Sequence, residues 1–398
     1  MTPNLGCVLA HACSSLKVLH LGKFEGDVGG IERHLRALLG GMPPDVQIVN
    51  LVANQKPITD LHRRRGYDVC RVASYGIVAS VALSPAMPAI ARRLHEQHKF
   101  DLVHLHFPDP LGQLTAMALP RTVRRVITWH SDIVKQKWAL VVYGPFVRSF
   151  VSSADALIGA TPQHFSTSHQ IPPGNPKQVR EVIPYGFDPS SLAHSEESRH
   201  QLAQLLAQRS HRPLIFAVGR HVYYKGFDVL IRALQHVDAD LIIGGHGPMT
   251  DALTQLTRSL RLEQRVKFVG FIEDRLLVAY YEACDVFCMP SVERAEQFGL
   301  VQLEAMYCSK PVVTTRLGTG VEFVTIEGET GLLVPPRDSD ALAGALRALL
   351  ADAELRTRMG TSGRRRVEGV FSVEQMVRKT VGVYERVLAQ SPPELQIR

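Results

Sequence analysis

The chain has 398 residues, of which 45% are hydrophobic and 21% charged. It contains no apolar run of the ~18 residues a membrane-spanning helix needs. Disordered and fibrous classes are excluded, no transmembrane helix is expected, and the length predicts two domains, each with its own core. The net charge of +7 is one-sided: residues 1–195 carry 20 Lys and Arg against 13 Asp and Glu, and the remainder is balanced. A basic half suits anionic lipid or a phosphorylated substrate. No recognisable nucleic-acid module accompanies it, so nucleic acid is not an expected partner. Cysteines at 7, 13, 70, 284, 288 and 308 form no CxxC pair, which predicts reduced thiols in a cytoplasmic setting, without a disulfide framework or a zinc site. The N-terminal segment has no Lys or Arg before Lys17 and reads as a mobile leader rather than a secretory signal.

In the first half, strands are predicted at 17–21, 46–52, 101–105, 123–128, 154–158 and 179–183. Helical patterns fall between them at 30–39 and 85–98. A polar stretch, 195–212, follows EVIPYGFD and marks the boundary between the two domains. The second half repeats the alternation. Its strands are at 214–218, 240–243, 266–269, 286–288, 311–314 and 332–334, and its helices at 227–235, 249–260, 274–283, 299–307 and 339–349. A Gly-rich, basic break (GTSGRRRVEG) then precedes a last helix at 373–389. Strand and helix alternating twice over is the pattern of two α/β parallel-sheet domains, with ligands bound in the crevice at the carboxyl ends of their strands.

Five segments bear on chemistry. GDVGGIERHL (26–35) places Gly29 and Gly30 in a turn between a strand and a helix, where backbone can approach a ligand; a plain tight turn would look the same. In VGRHVYYKGFDVL (218–230), Arg220 follows a strand and Lys225 lies just before Gly226 and a helix. The two cations could neutralise a diphosphate in the crevice or simply be solvated. Glu296 and Glu304 are eight apart, one before and one within a predicted helix. Two carboxylates there suit sugar and ribose hydroxyls, although acids at such spacing are commonly surface charge. Gly318 and Gly320 follow a strand and could offer N–H groups to phosphate. His130 ends a strand in TWHSDIVKQK, and His104 and His106 alternate along another, one of them expected in the core. Asp238-Ala239-Asp240 has the form of a metal-binding DxD, but it sits at the amino end of a strand, away from the crevice, and no metal site is expected.

Taken together, GGIERHL, DLVHLHFPDPLG, TWHSDIVKQK, EVIPYGFD, GRHVYYKGFDVL, EQFGLVQLEAM and KPVVTTRLGTG resemble the family-4 retaining glycosyltransferases, over most of the chain. The phrases HSDIVKQK, VYYKG and LGTG are similar to mannosyl- and rhamnosyltransferases of bacterial O-polysaccharide assembly. The resemblance implies a GT-B fold with an acceptor-binding domain at 1–195, a nucleotide-sugar domain at 196–372 and a crossover helix at 373–398 that returns to the first. It further implies catalytic roles for His130, Glu296, Arg220 and Lys225. Arg220 and Lys225 would hold the donor diphosphate, Glu304 the ribose, Glu296 the sugar hydroxyls, and His130 the sugar near its reacting carbon. Gly270, Phe271, Ile272, Phe298, Gly299, Leu300, Gly318 and Thr319 would complete the donor site, with Gly29 and Gly30 on the phosphate and acceptor side. Three departures from the family pattern stand out: Gly318-Thr319 in place of a paired glycine, Ser309-Lys310 in place of a glycine, and His221 where an apolar residue is usual.

The expected reaction is hexose transfer with retention, without cofactor or metal, from a nucleotide sugar to a glycan or polyprenyl-diphosphate-linked acceptor in cell-surface polysaccharide synthesis. GDP-mannose is the first choice of donor, with GDP-rhamnose or a UDP-hexose as alternatives. A GT-B-type epimerase or phosphorylase is a rival reading. Basic residues among Arg63–Arg65, Arg92, Arg93, Arg121, Arg124, Arg125, Lys135 and Lys137 would either dock the protein on the inner face of an anionic membrane or form a solvated basic face.

Overall fold

The apolar runs assemble into two sheets in a computed structural model that describes residues 15–25, 30–78, 81–133 and 137–390. The first sheet uses β1 (Leu16–Phe24), β2 (Val46–Ala53), β3 (Asp60–Arg64), β4 (Tyr67–Val72), β7 (Leu102–Phe107), β8 (Arg124–Trp129), β9 (Ala156–Gly159) and β10 (Val179–Val182). A short antiparallel hairpin of β5 (Ile77–Val78) and β6 (Val81–Ala82) stands beside it. The order is β10-β9-β8-β7-β1-β2-β4-β3, parallel except for β3 on its edge. The second sheet is wholly parallel: β11 (Leu214–Val218), β12 (Asp240–Gly244), β13 (Val266–Gly270), β14 (Val286–Met289), β15 (Val312–Thr315) and β16 (Gly331–Val334), in the order β13-β12-β11-β14-β15-β16. Strands such as Leu102–Phe107 are buried at every position, as parallel strands covered on both faces must be. The chain order reverses between β1 and β7 in one sheet and between β11 and β14 in the other. These switch points open the crevices in which doubly wound folds bind ligands.

The chain passes between the sheets twice, and the two passages are joined: the Phe187 N–H donates to the Phe371 carbonyl at 2.6 Å, and Phe187 pairs with Ser372. The last helix, Val373–Ala389, then lies on the first sheet. Its Val383, Tyr384 and Val387 are buried with Val18, Val126 and Ile158.

Two sequence expectations need correction. The polar stretch after Ser195 is a helix, Glu196–Ala207, started by reciprocal hydrogen bonds between Ser195 and Ser198. It packs against the helix Asp274–Ala283 and so belongs with the second sheet. The Gly-rich basic segment is no break either, because the helix Ala353–Val370 runs through it. Two of its three glycines serve close packing: a Cβ on Gly360 would lie 2.0 Å from the Ser309 carbonyl oxygen, and one on Gly363 would lie 3.1 Å from Met306, whereas Gly369 has open space beside it. Strands β3 and β4 and the helices Pro110–Met117, Lys137–Ser152 and Pro162–Ser166 were not anticipated. No helix among the described residues is long and apolar enough to cross a membrane.

Candidate functional site

The switch point of the second sheet gathers four of the predicted residues. Arg220 leaves β11 exposed, and its guanidinium has no protein partner among the described residues. Lys225 returns to the same strand end through a single 3-10 turn closed by Gly226. Gly226 has φ +67°, and a Cβ there would lie 2.0 Å from the Pro290 carbonyl oxygen, so only glycine lets this loop seat against the end of β14. The seating places Lys225 Nζ 2.5 Å from Glu296 Oε2, which also accepts from Ser291 Oγ at 3.1 Å. Glu296 is only 9% exposed. Burial works against the charge on Lys225, but Glu296, by attraction and by its hydrogen bond, raises the lysine pKa overall. From behind, Thr319 Oγ1 donates to the Glu296 carbonyl at 2.9 Å.

Four residues beyond Glu296 begins the helix Leu300–Tyr307, capped by Gly299 at φ +73°. It carries Glu304, 6% exposed, with Tyr281 OH donating to Oε2 at 2.6 Å. The other oxygen is held from the opposite sheet. Arg33, on the helix Gly30–Gly40, donates through Nη1 to Glu304 Oε1 at 3.0 Å and through Nη2 to Asp274 Oδ1 at 2.6 Å. Burial pushes the Glu304 carboxyl up, partly countered by Arg33 and Tyr281. Arg33, Asp274 and Glu304 line one cavity of about 790 Å³ between the two sheets. Lys225 and Glu296 are not on its walls. Gly30, first residue of its helix, faces Leu300: a Cβ on it would lie 3.8 Å from Leu300 Cδ1. The N-termini of the two helices therefore meet across the cleft, an electropositive arrangement suited to an anion. Gly29 lies outside the described residues.

His130 is at the expected strand end but is only 2% exposed, and both of its ring nitrogens are engaged. Its ring is therefore not open to the cleft. A chain of contacts runs from Tyr185 OH to His130 Nδ1 (2.5 Å), from His130 Nε2 to His106 Nδ1 (3.0 Å), and from His106 Nε2 to His20 Nδ1 (3.3 Å). It continues from His20 Nε2 to Tyr384 OH (3.2 Å), on to His104 Nδ1 (2.6 Å), and from His104 Nε2 to Thr128 Oγ1 (2.7 Å). His104 and His106 are thus both core residues, as positions two apart on one face of a buried strand should be. Burial first, and then neighbouring imidazoles, hold His130, His104 and His106 well below the ordinary histidine range. Two triads, His20–His104–His106 and His34–His106–His130, bring ring nitrogens close enough to share an ion. Among the described residues no carboxylate or thiolate joins either triad, and apart from His34 the ring nitrogens pair with one another or with Tyr185, Tyr384 and Thr128.

The remaining predicted residues divide by burial. Phe271 follows Gly270 and is 74% exposed, whereas Ile272 is core and packs on Gly244. Phe298 is also core, 4.7 Å from the Tyr185 ring, so it supports the wall of the site instead of presenting a free surface. The Gly318 N–H, expected to face phosphate, donates instead to Glu322 Oε1 at 2.6 Å. The unusual His221 is buried between Phe227 and Phe268, with Nδ1 2.9 Å from Thr250 Oγ1, and so takes the place of an apolar side chain. Asp238 and Asp240 of the DxD pair with Arg212. Arg124, counted among the docking cations, is buried against Asp155 at 2.9 Å and is structural. Lys135 lies outside the described residues. Sequence reasoning missed Arg33, Asp274, Tyr281 and Tyr185. Arg33 and Tyr185 sit within quoted motifs, but their partners are hundreds or tens of residues away, beyond any local spacing signal.

A family model described as Glycosyltransferase Family 4 matches residues 28–191, and one described as Glycosyl transferases group 1 matches residues 199–366. The chain is 27% identical to the O-antigen chain mannosyltransferase C of Escherichia coli, over 94% of this chain and 99% of that one. It is 31% identical to the D-rhamnosyltransferase WbpZ of Pseudomonas aeruginosa, over 90% of this chain and 92% of that one. Among solved structures, sucrose-phosphate synthase from Thermosynechococcus elongatus shares the fold with a TM-score of 0.79 at 24% identity, covering 94% of this chain and 100% of that one. Two facing parallel sheets, a last helix returning to the first, and matches to both halves lead to one assignment: the chain belongs to the family-4 glycosyltransferases of GT-B fold.

Proposed function

We propose that the protein transfers a hexose, with retention, from a nucleotide sugar to a glycan acceptor in cell-surface polysaccharide synthesis, with GDP-mannose as the donor. The observation that carries this reading is the Lys225–Glu296 pair at the end of β11, with Arg220, exposed and without a protein partner among the described residues, following the same strand. Departure of a nucleoside diphosphate builds negative charge on its phosphates. Arg220, Lys225 and the facing helix N-termini supply fixed positive charge there without a metal ion. Glu296 accepts donor sugar hydroxyls, Glu304 accepts the ribose diol, and Phe271 faces the base. A relative from Mycolicibacterium smegmatis, 28% identical over 84% of this chain, is named as a GDP-mannose-dependent mannosyltransferase, which favours a GDP-linked hexose.

Thermal shift without added metal tests the donor. GDP and GDP-mannose should stabilise the protein, by an amount that follows RT ln(1 + [L]/Kd), and Lys225→Ala should abolish the effect. Stabilisation by UDP compounds alone would replace the donor, and no response to any nucleotide would overturn the reading.

We place the acceptor on a polyprenyl diphosphate at an anionic membrane. The exposed Arg63, Arg65, Arg92, Arg93 and Arg121 of the basic half favour that placement. The protein should sediment with anionic but not neutral vesicles and be released as salt is raised. Equal sedimentation with both would remove this part of the proposal.

A further inference from the structure

Glu304 is shared between the two halves of the molecule. Its neighbour Tyr281 belongs to the second sheet's layer, but its cationic partner, Arg33, reaches across from the first. Arg33 is held by two acids, Glu304 on one nitrogen and Asp274 on the other. Arg33 therefore meets the Glu304 carboxylate at one oxygen only, Oε1, while its second nitrogen is held by Asp274. A carboxylate has about four acceptor positions, and Arg33 and Tyr281 take one on each oxygen. The remainder are left for hydroxyl donors in the adjoining cavity of about 790 Å³. Burial by itself favours the neutral acid, which is a poorer acceptor, and Arg33 is the cation that opposes this.

We propose that Arg33 is a positioning residue that makes ribose recognition depend on domain closure: with the two halves together, it holds Glu304 as an oriented acceptor for the ribose hydroxyls. The inference rests on the assignment of Glu304 to ribose made above. The same contact read as a latch, in which Arg33 occupies Glu304 until nucleotide displaces it, predicts the opposite sign for every effect below.

The test measures affinities of the full chain for GDP and 2′,3′-dideoxy-GDP, or for the uridine pair if UDP is the nucleotide that stabilises the wild type. Arg33→Ala should weaken GDP binding about tenfold, the size expected for one charge-assisted hydrogen bond. It should also shrink the wild-type preference for GDP over the dideoxy compound, a readout that general destabilisation would not move. Arg33→Lys should fall between, since one ammonium cannot fork to both acids, and this variant carries the test if Arg33→Ala fails to fold. Combined with Glu304→Gln, the Arg33→Ala effect should be strongly non-additive. Unchanged or tighter GDP binding in Arg33→Ala, or equal weakening of both nucleotides, overturns the proposal while leaving the donor site intact. A wild type that binds neither nucleotide overturns the donor reading and this inference together.

Discussion

At the scale of single residues, positions that depart from the family pattern are informative because the structure supplies a local reason for them. Ser309, which stands where a glycine is usual, has φ +55°. A side chain in the left-handed region costs about 1–2 kcal/mol, whereas glycine forfeits about 0.5–1 kcal/mol of unfolded-state freedom. Ser309→Gly should therefore stabilise the protein by about 0.5–1 kcal/mol. Urea unfolding would show a higher midpoint at unchanged slope, and a lower midpoint would mean that the serine side chain holds something the backbone argument omits. The same scale explains why Lys225 and Glu296 were legible in the sequence. Each lies a few residues from a strand end, and the glycines beside them, Gly226 and Gly299, have φ +67° and +73°. Glycine is a local signal that survives without any knowledge of the partner.

Among the elements, legibility followed periodicity. All six strands of the second sheet were readable as apolar runs between turns, and the predicted helix at 274–283 coincides with Asp274–Ala283. The edge strand Asp60–Arg64 was not legible, because it is mostly exposed and carries no apolar run. The helix Lys137–Ser152 holds Gly144 and Pro145, residues that punctuate a sequence yet are tolerated in this helix. The helix Ala353–Val370 was misread for a related reason. Gly360 and Gly363 suggest a break, but they are small because the helix presses on Ser309 and Met306. Two of its arginines also make contacts that composition does not show: Arg364 lies over the Tyr307 ring at 4.7 Å, and Arg366 donates to the Phe323 carbonyl at 2.6 Å, while Arg365 between them is exposed. Composition reports which residues are present, and only tertiary contact distinguishes a packing glycine from a flexible one. The site shows the same division. Its strand-end residues were visible, while Arg33, whose partners lie 241 and 271 positions away, was not.

For the molecule as a whole, the imidazole chain ties the last helix to the first sheet through Tyr384, and it makes stability depend on pH. His20 and His34 are lowered by burial to about 3, and His104, His106 and His130 are also held well below the ordinary value of 6.5. In the unfolded chain these groups regain a pKa of about 6.5. Below that pH the unfolded state binds protons that the folded state refuses, so stability is full above about 6.5 and falls as the pH drops from there toward about 3. Each fully buried histidine contributes about 1.4 kcal/mol per pH unit within that window. Glu304 and Asp109, raised by burial, act in the opposite direction at lower pH, but they are two groups against five. Urea unfolding at pH 7, 6 and 5 should therefore show a steep loss of stability below pH 6.5. Neither ring nitrogen of His34 has a hydrogen-bond partner among the described residues. His34→Phe should thus reduce the slope by about one proton without breaking the chain of contacts. A flat profile between pH 7 and 5 would mean that the imidazoles accept protons in the folded state, and the buried chain would then have to open to water within the native protein.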